Sequence, residues 1–255
     1  MRAHLLGVMV LGLAAIVLPQ AVQADWVEGM PYKMHHPQLP NLSSMGLDVR
    51  AVVPGEVADD WRCTQTGLVT DIHFWGSWLN DHVDPNPAFN LSIYPDVPVG
   101  PGNPYSHPGG VLGNPIWSLS VASVPVRRLY AEANENFYDP LKGQILGPDT
   151  QVWQYNVYVP EALAFKQEKG TIYWLSVQSA KPTSDYTFGW KTSLDHWNDD
   201  AVARDLAQGI PWLELRDPRT QQSLDMAFVI TPEPATMALL GLGVAGLVAR
   251  RRSKK

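Results

Sequence analysis

Asp71-Ile72-His73-Phe74-Trp75-Gly76-Ser77-Trp78 is the stretch on which the reading of the fold turns. Within it Ile72-His73-Phe74-Trp75 alternates between side chains that suit a core and side chains that suit water, as does Tyr155-Asn156-Val157-Tyr158-Val159. Period-two alternation marks strands with one buried face. Similar apolar and β-branched runs recur at 48–53, 68–78, 89–94, 116–121, 124–130, 152–159, 171–177, 186–191 and 226–230, separated by turn residues. The pattern predicts an all-β body of about nine strands, a single β-sandwich or jelly-roll-like domain over residues 25–230. In a regular strand Trp75 and Trp78 fall on opposite faces, so one is expected in the core and the other presented to solvent. Helical periodicity is scarce. Its one instance in the body is Asp199 to Gln208, where Asp199 or Asp200 would cap a short helix ended by Gly209 and Pro211. Prolines and glycines concentrate between Asp81 and Pro115, which predicts a long ordered loop that caps a sheet edge or lines a site.

The chain has 255 residues with 45% apolar and 10% aromatic content, ten of them Trp, together with 22 Pro and 20 Gly. That composition is too rich in core formers for disorder and implies a folded, loop-rich middle. The net charge of −6 is unevenly spread, because Arg2 and the cluster Arg250, Arg251, Arg252, Lys254 and Lys255 lie at the ends. Residues 25–234 keep 13 basic against 25 acidic residues, a net −12. An acidic body without a basic patch excludes nucleic-acid binding through a positive face. A single cysteine, Cys63, excludes an intramolecular disulfide and any multi-cysteine metal site; beside Trp61 it reads as a buried thiol.

The ends are the most informative segments. Residues 1–24 read as a signal peptide, with Arg2 in a short basic start, an apolar run from Leu5 to Leu18, and small residues Val22 and Ala24 before the cleavage point between Ala24 and Asp25. An apolar run of about 14 residues is short for a span of about 30 Å, so signal peptidase is the expected first partner. Residues 231–255 combine Pro232-Glu233-Pro234, an apolar stretch at 235–249 read as a transmembrane helix, and a basic end at 250–255. Prolines on both sides of a glutamate keep that segment extended, and about 15 helical residues cover only about 22 Å. The basic end orients such a helix toward the cytoplasm.

This three-part tail resembles the PEP-CTERM sorting signal of Gram-negative bacteria, with Pro232, Glu233 and Pro234 matching the motif. The resemblance implies an inner-membrane intermediate, recognition by an exosortase-like enzyme, and delivery to the cell surface or extracellular matrix. The body is similar to uncharacterised β ectodomains that accompany such tails, through Ala58-Asp59-Asp60-Trp61 and the stretch quoted above.

No sequence motif specifies catalysis. There is no Gly-x-Ser-x-Gly elbow, and the glycine pairs lack the lysine and helix of a phosphate loop. Paired carboxylates among Asp59, Asp60, Asp71, Asp195, Asp199 and Asp200 would suit a glycoside hydrolase if two shared a cleft. His35, His36 and His73, with Asp71 on the face of His73, offer metal ligands without a recognised spacing, and a hydrogen-bonded structural His73 is the simpler reading. The hard oxygen ligands of Asp195, Asp199 and Asp200 suit calcium better than zinc. Trp75, Trp78 and Trp197 are candidates for stacking on a sugar ring. The expectation is a non-catalytic surface or matrix protein that requires no cofactor, with calcium as the one candidate ion that would add stability, and with extracellular polysaccharide as its partner. The alternative is a secreted carbohydrate-active hydrolase using paired Asp residues.

Overall fold

The computed structural model describes residues 25–122, 127–181 and 186–232; the signal segment and most of the sorting tail, including Ala24, Glu233, Pro234 and both expected helices, lie outside the described residues. The described chain is all-β. One seven-stranded sheet contains β1 (Leu47–Arg50), β4 (Asp71–Trp78), β8 (Arg127–Asp139), β9 (Gln144–Tyr158), β12 (Phe188–Ser193), β15 (Asp225–Met226) and β16 (Phe228–Ile230). A second contains β2 (Gly55–Arg62), β5 (Phe89–Val97), β6 (His107–Pro108), β7 (Trp117–Val121), β11 (Ile172–Ser179), β13 (Val202–Asp205) and β14 (Ile210–Glu214). A short pair, β3 (Gly67–Val69) with β10 (Phe165–Gln167), stands apart.

The first sheet runs β15-β12-β1-β8-β9-β4-β16, and β12 also pairs with β4 through Phe188–Trp78, Gly189–Ser77 and Trp190–Gly76. Strands β4, β9, β8, β1 and β12 therefore close into a five-stranded ring, with β15 and β16 filling the end where β12 and β4 diverge. All ladders between strands are antiparallel except β1 with β8. The second sheet runs β14-β13-β2-β11-β5, with β6 and β7 sharing the far side of β5.

The two sheets meet over aromatic side chains. Phe89 of β5 packs at centroid distances of 5.1 Å from Phe74, 5.0 Å from Tyr155 and 4.8 Å from Phe188, which belong to β4, β9 and β12. Aromatic rings at this spacing in edge-on arrangements bury large area and add geometric specificity. The opposite face of β4 is buried as well, because Trp75 packs against Trp26 and, across the concave side of the ring, against Tyr130 of β8. Trp75 and Trp78 do occupy opposite faces, yet both are buried, which corrects the expectation that one is presented. Ring closure gives β4 two interiors instead of one.

Asp199 to Gln208 does not form the expected helix. Residues 202–205 form β13, pinned between β2 and β14, and only Leu206–Gln208 make a 3-10 turn. The turn has its own cap: Asp205 accepts from the Gln208 N–H, and Gly209 takes the left-handed conformation at φ 72°. Two ladders outweigh a weak local helical tendency. The proline-rich segment is not one long loop: β5, β6 and the 3-10 turn Val111–Gly113 run through it, and it is tied to β13 and β14 by Tyr105 donating to the Trp212 carbonyl and Arg204 donating to the Gly113 carbonyl. Cys63 is buried and its thiol faces the Gln65 carbonyl at 3.0 Å.

Candidate functional site

The joint between body and tail is built into the first sheet. Thr231 donates its N–H to the Asp71 carbonyl and its hydroxyl to Asp71 Oδ2 at 3.0 Å, and Pro232 is buried behind it. Asp71 Oδ2 lies 3.2 Å from His73 Nε2, and His73 Nδ1 lies 2.6 Å from Asn156 Oδ1. Asn156 in turn donates to Asp25 Oδ1 at 2.8 Å. Residues at the expected mature start and at the mouth of the sorting tail are thus linked by one polar chain across β4 and β9. His73 is a buried, hydrogen-bonded residue within that chain, as the simpler reading of it holds.

The remaining candidates scatter. His35 stacks on Trp197 at 4.1 Å and meets His36 edge-on, and its Nδ1 accepts the Arg62 N–H. Burial, with the charges of His36 and Arg62 nearby, lowers its pKa to about 3, which fits a neutral acceptor. Trp197 is half-buried, and of the three tryptophans proposed for stacking it alone keeps solvent contact. Asp195 accepts from the Leu39 N–H, Asp199 from the Ser106 hydroxyl, and Asp200 from the Ser223 hydroxyl while pairing with Arg216 at 2.9 Å. Three different partners hold these carboxylates, and they do not converge on one point.

A constellation that local patterns do not reveal sits inside the ring. Each of its five strands contributes one polar side chain: Asp48 from β1, Ser77 from β4, Glu135 from β8, Asp149 from β9 and Lys191 from β12, all nearly inaccessible to solvent. Asp48 faces Lys191 across one ladder, and Glu135 faces Asp149 across another. Like charges placed directly opposite are unfavourable unless something neutralises them. Lys191 Nζ lies 2.6 Å from Glu135 Oε2, 3.3 Å from Asp48 Oδ2 and 3.3 Å from the Leu47 carbonyl. The ring is narrow here, since a Cβ on Gly189 would come within 2.8 Å of both Phe137 and Asp48. Nearby, Asp81 accepts the N–H groups of Thr150 and Gln151 and fixes the part of β9 that carries Asp149.

Among the described residues, Asp48, Glu135 and Asp149 are the group of three or more potential ligands whose ligand atoms all lie within 4.8 Å of one another. Asp48 and Asp149 stand on strands separated by β8, so their approach requires the concave side of a curled sheet. Asp48 Oδ1, both Glu135 oxygens, both Asp149 oxygens and the Ser77 hydroxyl have no hydrogen-bond partner. Ser77 faces Asp149 closely enough to favour its ionised form without closing a hydrogen bond of ordinary geometry. Burial first, then the Asp48 charge, pushes Glu135 up to about 9 and Asp149 up to about 8, with Lys191 opposing both shifts. The sequence signal available was a lone charge inside each apolar run, Asp48 between Leu47 and Val49 and Lys191 after Trp190.

Comparison with known proteins adds two matches. Residues 231–252 match the PEP-CTERM protein-sorting motif, which marks the chain for export through exosortase-type sorting in Gram-negative bacteria. No curated protein and no solved structure matches the chain. Residues 34–231, from Met34 beside the ring to the threonine that ties off its last strand, match the model described as Domain of unknown function (DUF7901), and the chain belongs to that family.

Proposed function

We propose that this protein is a non-catalytic component of the cell surface or extracellular matrix, held briefly at the inner membrane by its tail and released by an exosortase-like enzyme, with extracellular polysaccharide as its partner. The observation that carries this reading is the sorting motif at residues 231–252, which begins at the residue where the family domain ends. The fold fits an address appended to a self-contained β body, because β16 ends at Ile230 and Thr231 closes its contacts with β4. His35 already stacks on one face of the half-buried Trp197, and the part of the indole still in contact with solvent is where a sugar ring would pack.

The hydrolase alternative asks for two carboxylates in an open cleft. Asp59 and Asp60 give it little support: both are buried, on opposite faces of β2. Asp59 Oδ2 accepts from Gln38 and from the Met226 N–H, and Asp60 Oδ2 accepts from Asn198. These are contacts that bind strands and loops together.

The test is fractionation of tagged wild type and Glu233→Ala in a host that carries the sorting enzyme. Wild type is expected at the surface in processed form, and the variant uncleaved in the inner membrane. A variant processed and localised like wild type overturns the reading. Glycan-array binding without turnover supports the polysaccharide partner, whereas product release abolished by one Asp substitution favours the hydrolase.

A further inference from the structure

We propose that Asp48, Glu135 and Asp149, with the hydroxyl of Ser77, form a site for one hard divalent cation of the calcium type inside the five-stranded ring. Three oxygens surround the Lys191 ammonium: Asp48 Oδ2 and the Leu47 carbonyl accept hydrogen bonds, and Glu135 Oε2 forms an ion pair with it at 2.6 Å. Asp149 receives no hydrogen bond from it, and Asp48 Oδ1 and both Glu135 oxygens also lack a hydrogen-bond partner.

Ser77 is an independent pointer. It is a neutral, fully buried residue on a fourth strand, its hydroxyl has no partner, and it faces Asp149. Buried polar groups are almost always satisfied, so several orphan oxygens converging from four strands call for a shared electrophile. When a cation displaces their protons and all three carboxylates ionise, they leave two negative charges against the one ammonium, which a divalent ion cancels.

The geometry and chemistry agree on the class of ion. Two oxygens bound to a common ion at about 2.4 Å lie at most about 4.8 Å apart, the calcium range, and the three carboxylates meet that limit. The set holds only oxygen, with no histidine or cysteine, which suits a hard cation and not zinc or copper. Complete burial leaves little room for a retained water shell, which favours calcium over the reluctantly dehydrated magnesium ion. This inference is independent of the sorting reading and of Asp195, Asp199 and Asp200.

The experiment measures metal content of the exported protein purified from calcium-containing medium, then refolds it after denaturation in chelator with calcium or terbium added back. About one calcium per chain is expected, with a one-site, tryptophan-sensitised terbium signal displaced by calcium. Asp149→Asn and Glu135→Gln should weaken binding by more than the ~10–100-fold typical of losing an outer-shell partner, while Asp199→Asn binds like wild type. Folded wild type that holds no ion and gives no saturable terbium signal overturns the proposal. So does unchanged binding in both folded ring variants. If those variants do not fold, the wild-type stoichiometry and the Asp199→Asn control decide the matter alone.

Discussion

Replacing Lys191 with Met tests whether the polar centre of the ring is a charge-balanced unit. The side chain is fully buried and its ammonium lies 2.6 Å and 3.3 Å from two carboxylates. Met preserves most of the volume, so the loss is electrostatic. Removing one partner from a buried ion pair costs about 3–5 kcal/mol, because the other charge is left without compensation. At about 2–4 °C per kcal/mol for a domain of this size, the melting temperature should fall by roughly 6–20 °C. The loss should also depend on pH. Glu135 and Asp149 hold protons in the folded state up to about 9 and about 8, which the unfolded chain sheds near its ordinary carboxylate values. Above those ordinary values the folded state binds more protons, so stability declines as pH rises, by up to about 1.4 kcal/mol per pH unit for each proton retained. Without Lys191 to oppose them both shifts grow, and the deficit should be small near pH 5 and largest near pH 8. The assay is thermal unfolding followed by tryptophan fluorescence, in chelator, at both pH values. A variant that melts within about 2 °C of wild type at pH 8, less than the equivalent of 1 kcal/mol, refutes the reasoning.

Gly76→Ala should destabilise by at least the ~1–3 kcal/mol typical of overpacking, because the new Cβ would sit 2.4 Å from the Phe188 ring and 2.5 Å from the Gly189 carbonyl, neither of which can yield cheaply; chemical denaturation measures it. Trp78→Ala should cost about 3–5 kcal/mol, since the ring is buried and its Nε1 donates to the Tyr155 hydroxyl at 2.7 Å, whereas Trp197→Ala, which removes a half-buried ring stacked on His35, should lower the melting temperature by less than Trp78→Ala while removing any stacking on glycans. Cys63 should resist a thiol reagent in the native protein and react at once on unfolding, because burial raises its pKa and the thiol is engaged with Gln65; equal rates in both states would contradict this.

What the sequence made legible follows from the range of the interactions. Runs such as Phe89 to Tyr94 and Thr171 to Val177 announced β5 and β11 because their β-branched and aromatic residues suit a pleated surface on their own. The central strand β2 was hidden by Glu56, Asp59 and Asp60, residues with poor strand tendency whose cost is offset by distant partners: Arg204 for Glu56, Gln38 and the Met226 N–H for Asp59. The face of Trp75 was readable from alternation, but its burial was not, since that depends on a closure made by β12 more than a hundred residues later. The ring cluster was illegible for the same reason. Asp48 and Lys191 are 143 residues apart, and nothing near either residue predicts that Glu135 and Asp149 will share their space.

On the proposed sorting route, the tie between Thr231 and Asp71 limits the order of events. Pro232 is already packed against the body, and the apolar stretch begins at Ala235, so only Glu233 and Pro234 separate them. Fully extended, the three residues 232–234 reach about 10 Å at most. On the proposed route, with the apolar stretch held in the membrane, a finished body would rest close to the lipid surface and shade the peptide bonds that a processing enzyme must grip. Either that enzyme works in a shallow gap, or it engages the tail while β15 and β16 are still undocked. In the second case the last strand acts as a timer, and a substitution that slows its docking would lengthen the interval in which the tail can be cut.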